Sequence, residues 1–298
     1  MQKWKTIWMS LLVMALWGSL FPCVKIGYST WGIDASSVPD ILMFAAVRFV
    51  LCGGLLCLFA VSRRKTIPLP AAKSIGGMIW VGVFAIVLHY ACSYIGLSTT
   101  DSSKTALLKQ SGVLIYVCFS FLFFQDEKFS IYKIVGAIIG FLGIAAINVS
   151  KTSWSFSFGD ILILSASLCT VVSNVISKKS VQNSAPVWIT GISQLFGGLV
   201  LLATSLALGG RIPQISPEGF LVFGYICTAS IASYILWYRV QKSDALSKLF
   251  IIKFAEPLFA CVFGAVLLGE NIFKVQYLAA FILVSAGIML GAVKKEKI

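Results

Sequence analysis

Apolar residues fall along this chain in blocks of about 17 to 25, each long enough to cross a bilayer as a helix, with short polar breaks between them. The pattern predicts ten spans, at residues 7–27, 38–61, 74–97, 102–124, 131–149, 158–178, 185–208, 217–239, 245–268 and 273–293. The breaks carry turn chemistry or charge: Ser62-Arg63-Arg64-Lys65, Thr99-Thr100-Asp101, Asp126-Glu127-Lys128, Gly209-Gly210-Arg211 and Gly269-Glu270-Asn271. The first block is not read as a cleaved leader. It is long, contains Lys25, and lacks a small-x-small site followed by a soluble domain.

Composition agrees with a lipid solvent. Of 298 residues 58% are apolar and 12% charged, with a mean hydropathy of +0.93. A soluble domain carries about a quarter charged residues. The net charge of +13 would suit nucleic acid, yet no basic patch with interleaved aromatics exists, so no nucleic-acid partner is expected. The positives follow topology instead. With ten spans both termini share a side, which would carry Lys3, Lys5, Arg63, Arg64, Lys65, Lys73, Lys128, Lys133, Lys178, Lys179, Arg239, Lys242, Lys294, Lys295 and Lys297. The other side would carry only Lys104, Lys151, Arg211 and Lys274. By the positive-inside rule both termini are predicted to be cytoplasmic, in a multi-pass protein of the cell membrane.

An internal repeat appears at an offset of 144 residues. Gly53-Gly54 falls on Gly197-Gly198, Tyr90 on Tyr234, Tyr94 on Tyr238, Ser103-Lys104 on Ser247-Lys248, Lys109 on Lys253, Asp126 on Glu270 and Gly143 on Gly287. The halves divide at 1–150 and 151–298, each with five spans. An odd number of spans makes the two halves insert with opposite topology. Inverted repeats characterise secondary transporters, with the substrate near the midplane at the repeat interface. The fold class predicted is therefore an all-α polytopic membrane protein of two inverted five-helix repeats.

Five basic residues remain inside the spans: Lys25, Arg48, Lys109, Lys248 and Lys253. Glu256 is the one acidic residue well inside a span. A charge at the bilayer centre costs about 2.5–3.5 kcal/mol on insertion scales, so such groups face a cavity or a partner. Lys109 and Lys253 stand at corresponding repeat positions, and two converging ammonium groups are complemented by an anionic substrate group. The plainer alternative pairs Lys253 with Glu256 at i,i+3 and satisfies Lys109 with carbonyls. Lys25 and Lys248 lie near span ends and can snorkel. Arg48 is deeper and reads as a structural tie to carbonyls or to Glu256. Tyr90 with Tyr94, and Tyr234 with Tyr238, each share a helix face and suit a metabolite cavity. Trp17 and Trp237 are comparable wall candidates. His89, the single histidine, is either a proton relay or a hydrogen-bond partner of a neighbouring helix. Pro257 interrupts the ladder of span nine and marks a bending point.

The eight cysteines all lie in apolar runs without metal spacing. No phosphate-binding loop, metal site or nucleophile triad is present, so neither cofactor nor metal nor enzymatic activity is expected.

Trp17-Gly18-Ser19 followed by Lys25, Arg48-Phe49 in span two, and Glu256-Pro257 with Gly269-Glu270 after it resemble the EamA family of the drug/metabolite transporter superfamily. The similarity extends over nearly the whole chain. It implies ten spans in two inverted repeats and alternating-access transport of a small polar metabolite or amino acid, through a cavity lined by spans one, three, four, six, eight and nine. Two features depart from it. Val113 stands where a proline matching Pro257 would fall, and Lys109 and Lys253 occupy positions commonly apolar or small in plain members. Membrane lysines in these spans look more like the phosphate-translocator and nucleotide-sugar branches. The expectation is a secondary active transporter of a small anionic or zwitterionic metabolite (a carboxylate, an amino acid or an organic phosphate), coupled to protons or a counter-substrate. The alternatives are an exporter of neutral or cationic amphipaths or amino acids, with Glu256 as the working charge, and a membrane enzyme or sensor.

Overall fold

Lipid supplies no partner for backbone N–H and C=O groups, and a chain this apolar satisfies them within helices. In the computed structural model every described element is helical. The structure describes residues 2–34, 36–97, 102–125, 127–148, 157–212, 216–270 and 275–292. Thr99, Thr100, Asp101, Asp126, Lys151, Asn271, Lys274, Lys294, Lys295 and Lys297 lie outside these residues, as do the side chains of Lys3 and Lys104.

The helices are α1 (Gln2–Thr30), α2 (Val38–Ser62), α3 (Ala72–Gly82, a π-helical turn Val83–Leu88, then His89–Leu97), α4 (Ser102–Phe119), α5 (Ile131–Asn148), α6 (Phe158–Asn183), α7 (Pro186–Ala207), α8 (Pro217–Ser243), α9 (Leu246–Ile252 and Ala255–Leu268) and α10 (Val275–Gly291). Among the described residues nine spans are long and apolar enough to cross a membrane, and Val275–Gly291 is a shorter apolar helix. Starts follow local chemistry. The Ser37 hydroxyl accepts from Asp40 N, Ser157 and Asp160 form a reciprocal capping box, and the Ser216 hydroxyl accepts from Gly219 N.

Polarity is arranged inside out. Leu58, Phe220, Leu221, Val266 and Met289 point outward, while Gln194, Gln241, Asn174, Ser167 and Arg48 are buried. Small residues then set the helix spacing, because apolar surfaces gain little from each other in lipid and close backbone approach supplies the contact. α2 packs along α7, and α5 along α10. A Cβ on Gly198 would stand 2.7 Å from Val50 N, and one on Gly53 would meet the Leu195 backbone and, at 2.8 Å, Gly191 O. Gly136 and Gly287 face each other in the same way across α5 and α10.

α1 packs against α8 and the second segment of α9, while α6 packs against α3 and α4. Two of these helices are irregular: α3 at its π turn and α9 at Lys253-Phe254. The sequence reading put the break of span nine at Pro257, and the structure puts it earlier. Proline has no N–H and its ring crowds the carbonyl four residues back, here that of Lys253. That carbonyl accepts from Glu256 N instead, at 3.0 Å, and Pro257 falls in the first turn of the new segment, where its missing donor costs nothing.

Glycine packing has a testable consequence. Gly53→Val is expected to push α2 from α7 and cost about 1–3 kcal/mol or more. Gly54, whose Cβ would meet open space, is expected to accept alanine neutrally or with a gain of up to about 1 kcal/mol. Thermal unfolding of the two variants in one detergent checks both.

Candidate functional site

The break in α9 presents Lys253 to the interior at a corner where the helix has no regular ladder. Its Nζ stands 4.9 Å from the ring centroid of Trp17, 5.4 Å from that of Trp237 and 5.6 Å from that of Phe250. Three aromatic faces around one ammonium are a cation–π cage. Trp17 in turn packs at 5.2 Å against Trp237 and edge-on at 5.6 Å against Tyr234. The approach of α1 is set by Gly18, where a Cβ would lie 2.6 Å from Phe259 Cβ and 2.8 Å from Ala260 N.

Lys109 of α4 and Glu256 of α9 lie within electrostatic reach of Lys253 and of each other. Among the described residues none of the three makes a direct ion pair with another. All three are surrounded by the chain yet are not fully buried. The i,i+3 pairing of Lys253 with Glu256 is thus replaced by a looser triad, one carboxylate between two ammonium groups. α4 is held in place by Ser167 of α6, whose hydroxyl donates to Lys109 O and accepts from Gly112 N, both at 2.8 Å.

A second group of polar residues gathers on α2 and α3. Arg48 Nη2 donates to Tyr90 Oη at 2.8 Å, and the guanidinium lies 4.3 Å from the Phe49 ring centroid and 5.6 Å from that of Tyr90. Glu256, weighed as its partner from the sequence, is not the group that it meets. Tyr94 packs at 5.5 Å beside Tyr90 and lies within electrostatic reach of Tyr28 of α1. Tyr234 connects the two groups, touching Trp17 on one side and lying within electrostatic reach of Arg48 on the other.

Of the other sequence candidates, His89 lies within electrostatic reach of Lys109 and Lys253, and the rest point elsewhere. Tyr238 is buried and meets Ser193 of α7. His89 Nδ1 lies 3.0 Å from both Ala166 O and Thr170 Oγ1 on α6. Lys25 pairs with Glu270 at 3.4 Å on an exposed face, and Lys248 with Asp244 at 3.2 Å.

The sequence reading missed Asn174. Its Oδ1 accepts from Trp237 Nε1 and from Gln241 Nε2, both at 2.7 Å, while its Nδ2 donates to Thr170 O at 2.7 Å. Gln241 Oε1 then accepts from Ser177 at 2.8 Å. The available signal was Thr170, Asn174 and Ser177, polar residues spaced four and three apart on one face of an apolar helix.

The family model for the EamA-like transporter family matches residues 4–149 and 157–292. The inner membrane transporter YedA of Escherichia coli strain K12, itself uncharacterized, is 27% identical over 286 residues, covering 92% of this chain and 87% of that protein. An uncharacterized transporter of Archaeoglobus fulgidus is 25% identical over 276 residues, covering 91% of each chain. The chloroplastic WAT1-related protein At3g02690 of Arabidopsis thaliana is 26% identical over 272 residues, covering 84% of this chain and 64% of that protein. A solved crystal structure of another protein has a TM-score of 0.75 at 17% identity, covering 96% of both chains, and so shares the fold.

Replacing Asn174 with leucine leaves the Trp237 and Gln241 donors buried without an acceptor. A loss of about 1–3 kcal/mol is expected, together with a changed tryptophan emission as Trp237 leaves its place. Thermal unfolding and fluorescence of the purified variant check the two outcomes.

Proposed function

Since this chain belongs to the EamA-like transporter family, we propose that it is a secondary active transporter, and not an enzyme, that moves a small anionic or zwitterionic metabolite by alternating access. The observation that carries the reading is the triad of Lys109, Lys253 and Glu256 beside Trp17, Trp237 and, packed on Trp17, Tyr234. Charges kept inside a membrane protein mark substrate or ion pathways by default. This triad has an excess of positive charge, which an entering carboxylate or phosphate offsets. Tyr90 and Tyr94 extend the wall. Glu256 and His89 are the titratable groups available for proton coupling, and a counter-substrate is the other source of drive.

The architecture that we propose is ten spans in two inverted five-helix repeats, 1–150 and 151–298, with both termini cytoplasmic. The family model matches twice, once in each half. The packing supports the same symmetry: exchanging first-half and second-half helices turns α1 against α8 into α6 against α3, and leaves the pairs α2–α7 and α5–α10 unchanged. Val275–Gly291 has 17 residues. At 1.5 Å per residue such a helix is about 26 Å long, near the roughly 30 Å hydrocarbon thickness. The π turn of α3 and the break of α9 border the proposed cavity from opposite repeats, and irregular turns of this kind are suited to absorb rotation during switching.

A second reading has its own observation. The aromatic cage around Lys253 Nζ is the arrangement that recognises ligand ammonium groups, with Glu256 beside it. Export of a cationic or neutral amphipath, or of an amino acid, would displace the lysine from the cage.

Counterflow in proteoliposomes separates the readings. The intact protein is expected to exchange organic anions, and the Lys109→Ala, Lys253→Ala double variant to lose at least about 90% of that flux, as removal of two charge contacts demands. Undiminished anion exchange by the double variant sinks the lysine clamp. Exchange of organic cations with no response to anions transfers the conclusion to the second reading.

A further inference from the structure

Arg48 has more hydrogen-bonding capacity and more charge than its surroundings use. Only 4% of the residue is exposed, and it sits on α2 well inside the membrane-spanning length. A guanidinium keeps its charge in any protein environment and carries five N–H donors. Here one of them reaches a side-chain acceptor, the Tyr90 hydroxyl, and Nε is buried with no partner. Its electrostatic neighbours are Tyr90, Tyr94, Tyr234 and Cys52, none of them a carboxylate. Among the described residues it makes no ion pair. The contrast with Lys109 and Lys253, which share Glu256, is direct. A buried cation without counter-charge is strongly unfavourable unless a ligand completes it.

The surroundings specify the ligand. Tyr28, Tyr90, Tyr94 and Tyr234 come from α1, α3 and α8, and each keeps accessible surface within the helix bundle. Their hydroxyls are donors for an oxyanion. One positive charge on a flat fork, with Phe49 covering a face at 4.3 Å, matches a single planar carboxylate. Tyr234 leads from this position to Trp17 and the Lys253 cage, which places the body of a bound molecule between the two groups.

The geometry points to Arg48 as the anchor of a substrate carboxylate, in a subsite formed with Tyr28, Tyr90, Tyr94 and Tyr234 and separate from the lysine triad. The inference deepens the anionic reading of the site and rests on it. A structural tie between α2 and α3 needs only the Tyr90 contact and leaves the remaining donors idle.

The test uses purified full-length protein, with benzoate, benzamide and phenyl phosphate as probes titrated against tryptophan fluorescence. Benzamide keeps the shape of benzoate and removes its charge. The intact protein is expected to bind benzoate at least tenfold more tightly than either comparator. Arg48→Gln is expected to abolish that preference, and Arg48→Lys, which keeps the charge and loses the fork, to weaken benzoate binding about tenfold. A folded Arg48→Gln protein that titrates benzoate as the intact protein does overturns the inference and leaves the lysine reading standing. Should Arg48→Gln fail to reach the membrane, Arg48→Lys decides, and a change below threefold overturns the anchor. Preference for phenyl phosphate overturns the carboxylate assignment. If the intact protein responds to none of the anions, the anionic reading fails and this inference with it.

Discussion

A charge inside a bilayer has no water to lean on, and the positions of Lys253 and Arg48 make most of the interior intelligible. Lys253 is possible because the α9 helix breaks beneath it, Trp17 and Trp237 present their faces to it, and Glu256 follows three residues later. Each of those conditions recruits others. Gly18 lets α1 come close enough for Trp17 to reach, and Asn174 fixes the Trp237 indole by its N–H. A group costing several kcal/mol to bury is thereby supported by side chains from α1, α6, α8 and α9.

The same supports connect regions that the proposed transport cycle would move together. From His89, the contacts run through Thr170 and Asn174 to Trp237 and Lys253, crossing α3, α6, α8 and α9. Asparagine and indole groups do not pass protons along, so the chain couples positions rather than protonation. It joins the π-turn region of α3 to the break in α9, two places where the helical ladder is interrupted.

Much of the candidate site was legible in the residues because charge is conspicuous in an apolar chain. Lys109, Lys253 and Glu256 stand out by type, and the 144-residue offset related the two lysines before any helix was packed. Trp17 and Trp237 were only weakly marked, since an aromatic in a span is as well suited to the interface or the core. Asn174 passed unnoticed for the opposite reason: a neutral polar residue among serines and threonines gives no sign of which neighbour it will hold. Tyr234 and Tyr238 share a helix face by spacing, yet the first borders the cage and the second meets Ser193 in the core. Helical periodicity assigns a direction, but it cannot say which helix lies there.

By itself the amino-acid sequence determined that the chain lives in lipid, which stretches of it form the spans, which family it belongs to and which charges lie inside. These follow from local quantities: hydropathy summed over a span, capping residues, proline and short motifs. Tertiary structure alone decided that Arg48 meets Tyr90 and not Glu256, that Lys253 sits in a ring of aromatics instead of an ion pair, and that α9 breaks at the lysine and not at Pro257. Those outcomes depend on how closely helices approach. The approach is set by glycines and small side chains whose partners are distant in the sequence.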